Sequence, residues 1–286
     1  MIRRSLVALS LAVAAPTAQA APALWKVGDA DTTIYLFGSV HALPPGAAWY
    51  AGPVRQAFEQ SDTLVLEMIA PKNEADLGPT LMALGFSSGQ PPLAERVAPP
   101  DRPRLAAAVR EAGVPLSALN AMETWLATMM LSIQQLQSFG LEPKLGVERQ
   151  LTTRAEGARK RIIGLETVAE QMSFFDTLPE ADQRAYLSAT LKQWPVMKAT
   201  MRDLVGRWVA GDDAAIGVEM NESMKETPRL AKVLLADRNA RWAGWIKSRL
   251  AQPGMVFVAV GAGHLAGDDS VQAALARHGL KPERVE

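Results

Sequence analysis

Cysteine is absent from this 286-residue chain. Its absence excludes disulfides, thiolate nucleophiles and cysteine-based zinc sites, and no anchor attached through an N-terminal cysteine is expected. Charge of one sign is lacking too: 30 Lys and Arg face 30 Asp and Glu. A balanced chain without a basic cluster gives no electrostatic footprint for nucleic acid, so no nucleic-acid partner is expected. Long apolar runs are confined to the N-terminus. There "MIRR", "SLVALSLAVAA" and "AQA" read in turn as the basic, apolar and cleavage regions of a signal peptide over residues 1–20, cut after Ala20. The apolar stretch is shorter than the roughly 20 residues that a bilayer requires. The expectation is a periplasmic or secreted protein whose mature chain, residues 21–286, has no membrane span. No H-E-x-x-H helix signature is present, and serine catalysis is not expected. Histidine is scarce, with only His41, His264 and His278.

What is present is a large apolar fraction, 48% of residues, enough for a substantial core. Short β-branched and aromatic runs predict strands at "TIYLFG", "TLVLEMI", "KRIIGLE" (160–166) and "MVFVAV", with "ERV" adding a short edge. Helical patterns fill the rest: 49–60, a helical middle from Asp101 to Gly140, a helix opened by Glu148, another directly after Glu166, 180–250, and "SVQAALARHG" at the end. Residues 87–104 are rich in Pro and Gly and predict a loop. Asn120 with Glu123, and Thr167 with Glu170, predict capping boxes. Leu126, Met129, Met130, Ile133 and Leu136 predict a buried helical stripe that Gly140 closes. His278, in the closing helix's last turn, reads as structural. Strands at both ends of the mature chain with helices between imply an α/β fold: a single domain, 21–286, with a mixed central sheet flanked by helices and a large helical insertion.

The polar residues fall at strand exits. "FGSVH" and "VGAGH" place His41 and His264 three residues beyond a glycine, each directly after a predicted strand. "LVLEM" contains Glu67 and "RIIGLE" ends on Glu166. In open α/β sheets, ligands bind at the carboxyl ends of the strands, so two imidazoles and two carboxylates are expected on one rim. A lone carboxylate in an apolar strand costs several kcal/mol, on the order of the penalty for an unpaired buried ion, which argues that Glu67 has a partner. Gly38 and Gly261 are expected to let the chain leave the strand sharply, and Gly263 to let backbone and ligand approach. Arg238 shares a helix face with Trp242 and Trp245, which points it inward and calls for an anionic partner; Asn239 is a weaker companion. Glu148 opens another helix and faces either the cleft or the helix dipole.

"ALWKVGDADTTIYLFGSVHALPPGAAWY", "LVLEM", "GVERQLTTRAEGARKRIIGLETVAEQ", "DRNARW" and "VAVGAGHLAGDDSVQAALARHGL" together resemble the TraB/GumN family, from about Ala21 to the C-terminus. The animal Tiki proteins resemble that family too, and so, more distantly, do the erythromycin-esterase and ChaN-like proteins. The resemblance implies an active site built on the two GxxH histidines and a strand-end glutamate, here His41, His264 and Glu67, with divalent-metal-dependent proteolysis as described for Tiki members. Glu166 and Arg238 also match recurrent family positions. Glu148 stands where many relatives have aspartate, so no catalytic task carries over to it.

The leading expectation is a metal-dependent, peptidase-like hydrolase. His41 and His264, with Glu67 or Glu166, would hold Mn, Co, Zn or Fe. The remaining glutamate would act as general base, and Arg238 would stabilise the oxyanion of a peptide or small-molecule substrate. A metal-independent His/Glu esterase-type hydrolase, and a non-enzymatic protein binding haem, metal or peptide, are the alternatives.

Overall fold

The computed structural model describes residues 21–285. The signal-peptide expectation therefore lies outside the described residues. Six strands form one sheet: β1 (Leu24–Gly28), β2 (Thr32–Ser39), β3 (Thr63–Met68), β4 (Arg161–Glu166), β5 (Gly254–Gly261) and β6 (Glu283–Arg284), in the order β4-β3-β5-β2-β1-β6. β4, β3, β5 and β2 are mutually parallel; β1 pairs antiparallel with β2, and β6 pairs antiparallel with β1 at that edge. The sheet is thus mixed and the fold α/β, as predicted.

Period-two alternation explains the two faces. Phe37, Leu64, Leu66, Phe257 and Ala259 point to one side. They pack on α1 (Gly52–Gln60), α6 (Val147–Gly157), α9 (Met197–Val209) and α10 (Asp213–Met224) through Phe58, Leu151, Trp208 and Ile216. Ile34, Leu36, Val65, Val256 and Val258 point to the other, against Trp242 and Ile246 of α12 (Asp237–Arg249) and Leu275 of α13 (Val271–Ala276). Strands covered on both faces read as continuous apolar runs, which is why "MVFVAV" was legible. Each such side chain contributes about 1.5–3 kcal/mol when fully buried.

The helical insertion has its own core. Leu105 of α3 (Arg102–Ala112), Leu119 of α4 (Leu116–Asn120), Leu131 of α5 (Thr124–Ser138) and Leu187 of α8 (Glu180–Gln193) meet away from the sheet. Buried Arg96 ties its loops together, donating to the carbonyls of Pro91, Asn120 and Met122. α2 (Gly78–Leu84) and α7 (Val168–Asp176) pack on each other, and neither has a fully buried residue. A helix resumes at Pro228, α11 (Pro228–Ala231), and passes through a π-helical turn, Lys232–Ala236, into α12.

Three local expectations need correction. β1 was not predicted: it is short, its Lys26 is exposed, and it owes its place to pairing with β2 across a turn closed by Asp29, whose Oδ1 accepts from the Asp31 and Thr32 amides. Asn120 and Glu123 form no capping box. Asn120 ends α4, and its side chain accepts from the Leu93 amide instead. Of the predicted α5 stripe, Leu126 is buried and Met129, Met130 and Leu136 are half-buried, but Ile133 is exposed; the helix also buries Thr124, Trp125, Ala127, Thr128, Leu131 and Gln135. Hydrogen bonds from α8 and its start made that polar edge buriable: Gln183 accepts from the Trp125 amide, and Glu180 from Thr124. The Thr167–Glu170 capping box is present in full.

Candidate functional site

Parallel order puts the carboxyl ends of β4, β3, β5 and β2 side by side. Glu166 closes β4 opposite Met68, and Glu67 is the penultimate residue of β3. Ser39 of β2 pairs with Gly261 of β5, and a tight turn, Ala262–Leu265, then folds His264 back under the rim. His41 continues past β2 into an open loop. α6 is docked to that loop: the Val147 amide donates to Val40 O, and a Cβ on Gly146 would collide with the His41 carbonyl oxygen. The contact brings Glu148 against His41.

The two rings converge above Gly261. The position of a Cβ on that residue lies 3.1 Å from Glu67 Oε1, 3.5 Å from His264 Cδ2 and 3.6 Å from His41 Nε2. Gly38, Gly261 and Gly263 all avoid left-handed backbone, so the expected sharp exits are not their role. They supply space: a Cβ on Gly38 would press on Ala262, and one on Gly263 on Met220.

Each ring has one nitrogen pinned. His264 Nδ1 lies 2.6 Å from Asn239 Oδ1, and Asn239 Nδ2 donates to Asp269 O. That orientation makes Oδ1 the acceptor, so Nδ1 carries the proton and Nε2 its lone pair. Arg238 Nη1 donates to this Nε2 at 3.1 Å. His41 Nδ1 meets Glu148 Oε1 at 2.7 Å, and Ser39 Oγ donates to the same oxygen at 2.5 Å. His41 Nε2 is left facing the common space.

Arg238 is buried as its helix face predicted. Its Nη2 donates to Glu67 Oε2 at 2.5 Å and to Glu166 Oε2 at 2.8 Å, and its Nε reaches both Glu166 oxygens. Its guanidinium stacks 4.6 Å from the Trp242 ring centroid. Glu166 accepts in addition from Trp242 Nε1, Arg241 and Gln171, so donors surround both of its oxygens. Gln171 also donates to Glu67 Oε2. Glu67 Oε1 takes the Gly261 amide at 2.6 Å and lies 3.6 Å from His264 Nε2, on the side the histidines share.

Environment separates the four groups electrostatically. Burial pushes His264 down to about 4 and keeps it neutral near pH 7, and the neighbouring Arg238 adds to the effect. The Glu148 carboxylate raises His41 instead. Burial alone would raise Glu67, but the His264 ring, the Arg238 guanidinium, the His41 ring and the Gly261 N–H outweigh it and hold the carboxyl below its ordinary range. Glu148 follows the same balance, with burial opposed by His41 and Ser39.

Glu148, Ser39 and Gln171 were not among the predicted site residues. Glu148 and Gln171 had a positional signal, each in the opening turns of a helix that starts beside the rim; Ser39 had none. Residues 85–89, "GFSSG", do spell G-x-S-x-G. They leave helix α2, not a strand, and Ser87 Oγ accepts from Gln90, so the segment has none of the context of a nucleophile elbow.

Among the described residues, no three His, Asp or Glu side chains are arranged to hold a metal ion; Arg238 stands between Glu67, Glu166 and His264. The donor chemistry nonetheless suits one. Each imidazole has its Nδ1 hydrogen-bonded from behind, the support that metal-binding histidines use; His41 Nε2 faces the shared space, whereas His264 Nε2 accepts from Arg238 Nη1.

Fold and site together define a mixed-sheet α/β protein with paired GxxH exits and a buried Glu–Arg–Glu cluster. The chain belongs to the TraB/PrgY/gumN family, whose profile matches residues 23–284. It is similar to the protein named "Uncharacterized protein YbaP" of Escherichia coli (strain K12), 25% identical over 237 residues that cover 83% of this chain and 85% of the relative. The protein of the same name from Shigella flexneri gives the same figures. No solved structure gives a significant match. No helix among the described residues is long and apolar enough to cross a membrane.

Proposed function

We propose that the protein is a peptidase-like hydrolase that uses a divalent metal ion and is exported by the leader at residues 1–20. The observation that carries this reading is the convergence of Glu67 Oε1, the His264 ring and His41 Nε2 within 3.6 Å of the position of a Cβ on Gly261. His41, His264 and Glu67 would hold the ion, and their mixed nitrogen–oxygen set suits Mn, Co, Zn or Fe. Such an ion, when bound, lowers the pKa of water and polarises a carbonyl.

The chain's own groups supply the remainder. Asn239 fixes the tautomer of His264, and Glu148 orients the His41 ring. Glu67 is the carboxylate with an oxygen open to the shared space, and so the one able to take a proton or a metal bond. Glu166, enclosed by donors, holds Arg238 in place. Arg238 presents a fixed positive charge to the oxyanion of a peptide or small-molecule substrate.

One observation favours a metal-independent second reading. Arg238 Nη1 already satisfies the His264 Nε2 lone pair, which leaves His41, oriented by Glu148, as the ring free to move a proton.

Metal analysis of purified protein tests the choice. The first reading expects a bound transition metal that His41→Ala and His264→Ala both lose while staying folded, together with peptide hydrolysis that a chelator abolishes and Mn or Co restores. Hydrolysis that survives the chelator selects the second reading. Retention of a coloured cofactor without turnover would place the protein among binding proteins instead.

A further inference from the structure

Away from the strand-end cluster, a cleft lies where the His41 loop and the segment after α5 face α9. Its volume is about 400 Å³, within the roughly 300–1,000 Å³ typical of small-molecule sites. Pro44, Phe139 and Leu141 form one wall and α9 the other. On α9, Lys198, Met201, Arg202 and Val205 recur at helical spacing and share the face that lines the cleft. Met201 and Val205 give that face an apolar floor, and Lys198 and Arg202 give it a cationic rim. No acidic residue lines the cleft. Among the described residues, the ion pair within α9 is Arg207 with Asp203, beyond the cleft; Lys198 instead lies 5.9 Å from the Phe139 ring centroid.

An apolar floor favours a hydrocarbon guest. Two cations facing the same space without a carboxylate favour an anionic head. We propose that this cleft binds a single alkyl chain bearing a carboxylate, a medium-chain fatty acid. Within the first wall the His41 loop is hydrogen-bonded to the segment after α5, since Leu43 and Glu142 exchange backbone bonds of 3.4 and 3.1 Å. The bound chain therefore lies against the loop that carries His41. The proposal does not depend on the reading of the strand-end site.

Titration calorimetry of the full chain with decanoate, below its micelle concentration, is the test. Wild type binds one decanoate and binds decyltrimethylammonium, of equal chain length and opposite charge, at least tenfold more weakly, about 1.4 kcal/mol. The double variant Lys198→Glu/Arg202→Glu loses on the order of tenfold or more in decanoate affinity. Ala199 also lines the cleft, at its exposed rim; Ala199→Trp fills the cleft and abolishes binding, and circular dichroism confirms that both variants are folded. His264→Ala binds decanoate as wild type does. The proposal is overturned if wild type does not bind, if both amphiphiles bind equally, or if the cleft variants retain wild-type affinity.

Discussion

The two GxxH units share a motif and lie on neighbouring parallel strands, yet they end in opposite environments. His264 has a side chain only 7% exposed, and a neutral carboxamide holds its Nδ1. His41 is 71% exposed, and a carboxylate holds its Nδ1. The cause lies in the path of the chain beyond each strand. After Gly261 a tight turn folds the chain inward beneath Trp242, whose ring centroid is 4.5 Å from that of His264. After Ser39 the chain runs outward and is met by α6. A repeated motif thus yields one rigid neutral ring and one solvated ring beside an anion. Divergent environments of this kind let two identical side chains do different chemistry.

The comparison breaks most severely through the arginine on the buried side. Arg238→Ala leaves Glu67 and Glu166 buried without their cation. A stability loss of about 3–5 kcal/mol is expected, read as a fall in the urea midpoint at unchanged slope. Asn239→Leu strands the His264 Nδ1–H, at about 1–3 kcal/mol. The corresponding change on the solvated side, Glu148→Gln, keeps an acceptor for both Ser39 and His41 and should cost less than about 1 kcal/mol. Equal losses in the two variants would refute the asymmetry.

Gly261→Ala places a methyl 3.1 Å from Glu67 Oε1. It should weaken metal or ligand binding far more than it lowers the melting temperature. His41→Ala has the smallest expected effect on stability, within about 0.5 kcal/mol, while still abolishing whatever the site binds.

Proton NMR of the histidine rings sharpens the same contrast. The His41 ring should titrate above the ordinary histidine value and the His264 ring below it, near 4. The linked stability has opposite signs for the two rings. Because unfolding restores the ordinary affinity of His264 for protons, its contribution to stability is lost as pH falls from the unfolded value near 6.5 toward 4. The contribution of His41 is present below 6.5 and fades as pH rises through its elevated folded value. Titration of both rings together near 6.5 would contradict the two environments.

How much of this was legible depended on whether a signal is local. β2, β3 and β5 were visible because burial on both faces demands unbroken apolar runs, and the half-buried edge strand β4 through its short run of Ile162, Ile163 and Leu165. Arg238 was visible because helical spacing from Trp242 fixes its direction. The capping box at Thr167 involves residues three apart, and it formed as read. The α5 stripe was right for Leu126 and wrong for Ile133; the polar part of the buried face was missed because Gln183 and Glu180, more than 50 residues away, satisfy Trp125 and Thr124. β1 was missed because its stability lies in its partner strand.

The sequence by itself determined that apolar strands would end in two imidazoles and two carboxylates, because strand periodicity and glycine placement are properties of neighbouring residues. The tertiary structure alone decided which ring is buried, that Glu148 and Gln171 join them, and that Glu166 spends its oxygens on Arg238. Hydrogen-bond saturation and solvent exposure are set by groups that meet only when strands and helices distant in the chain are packed together.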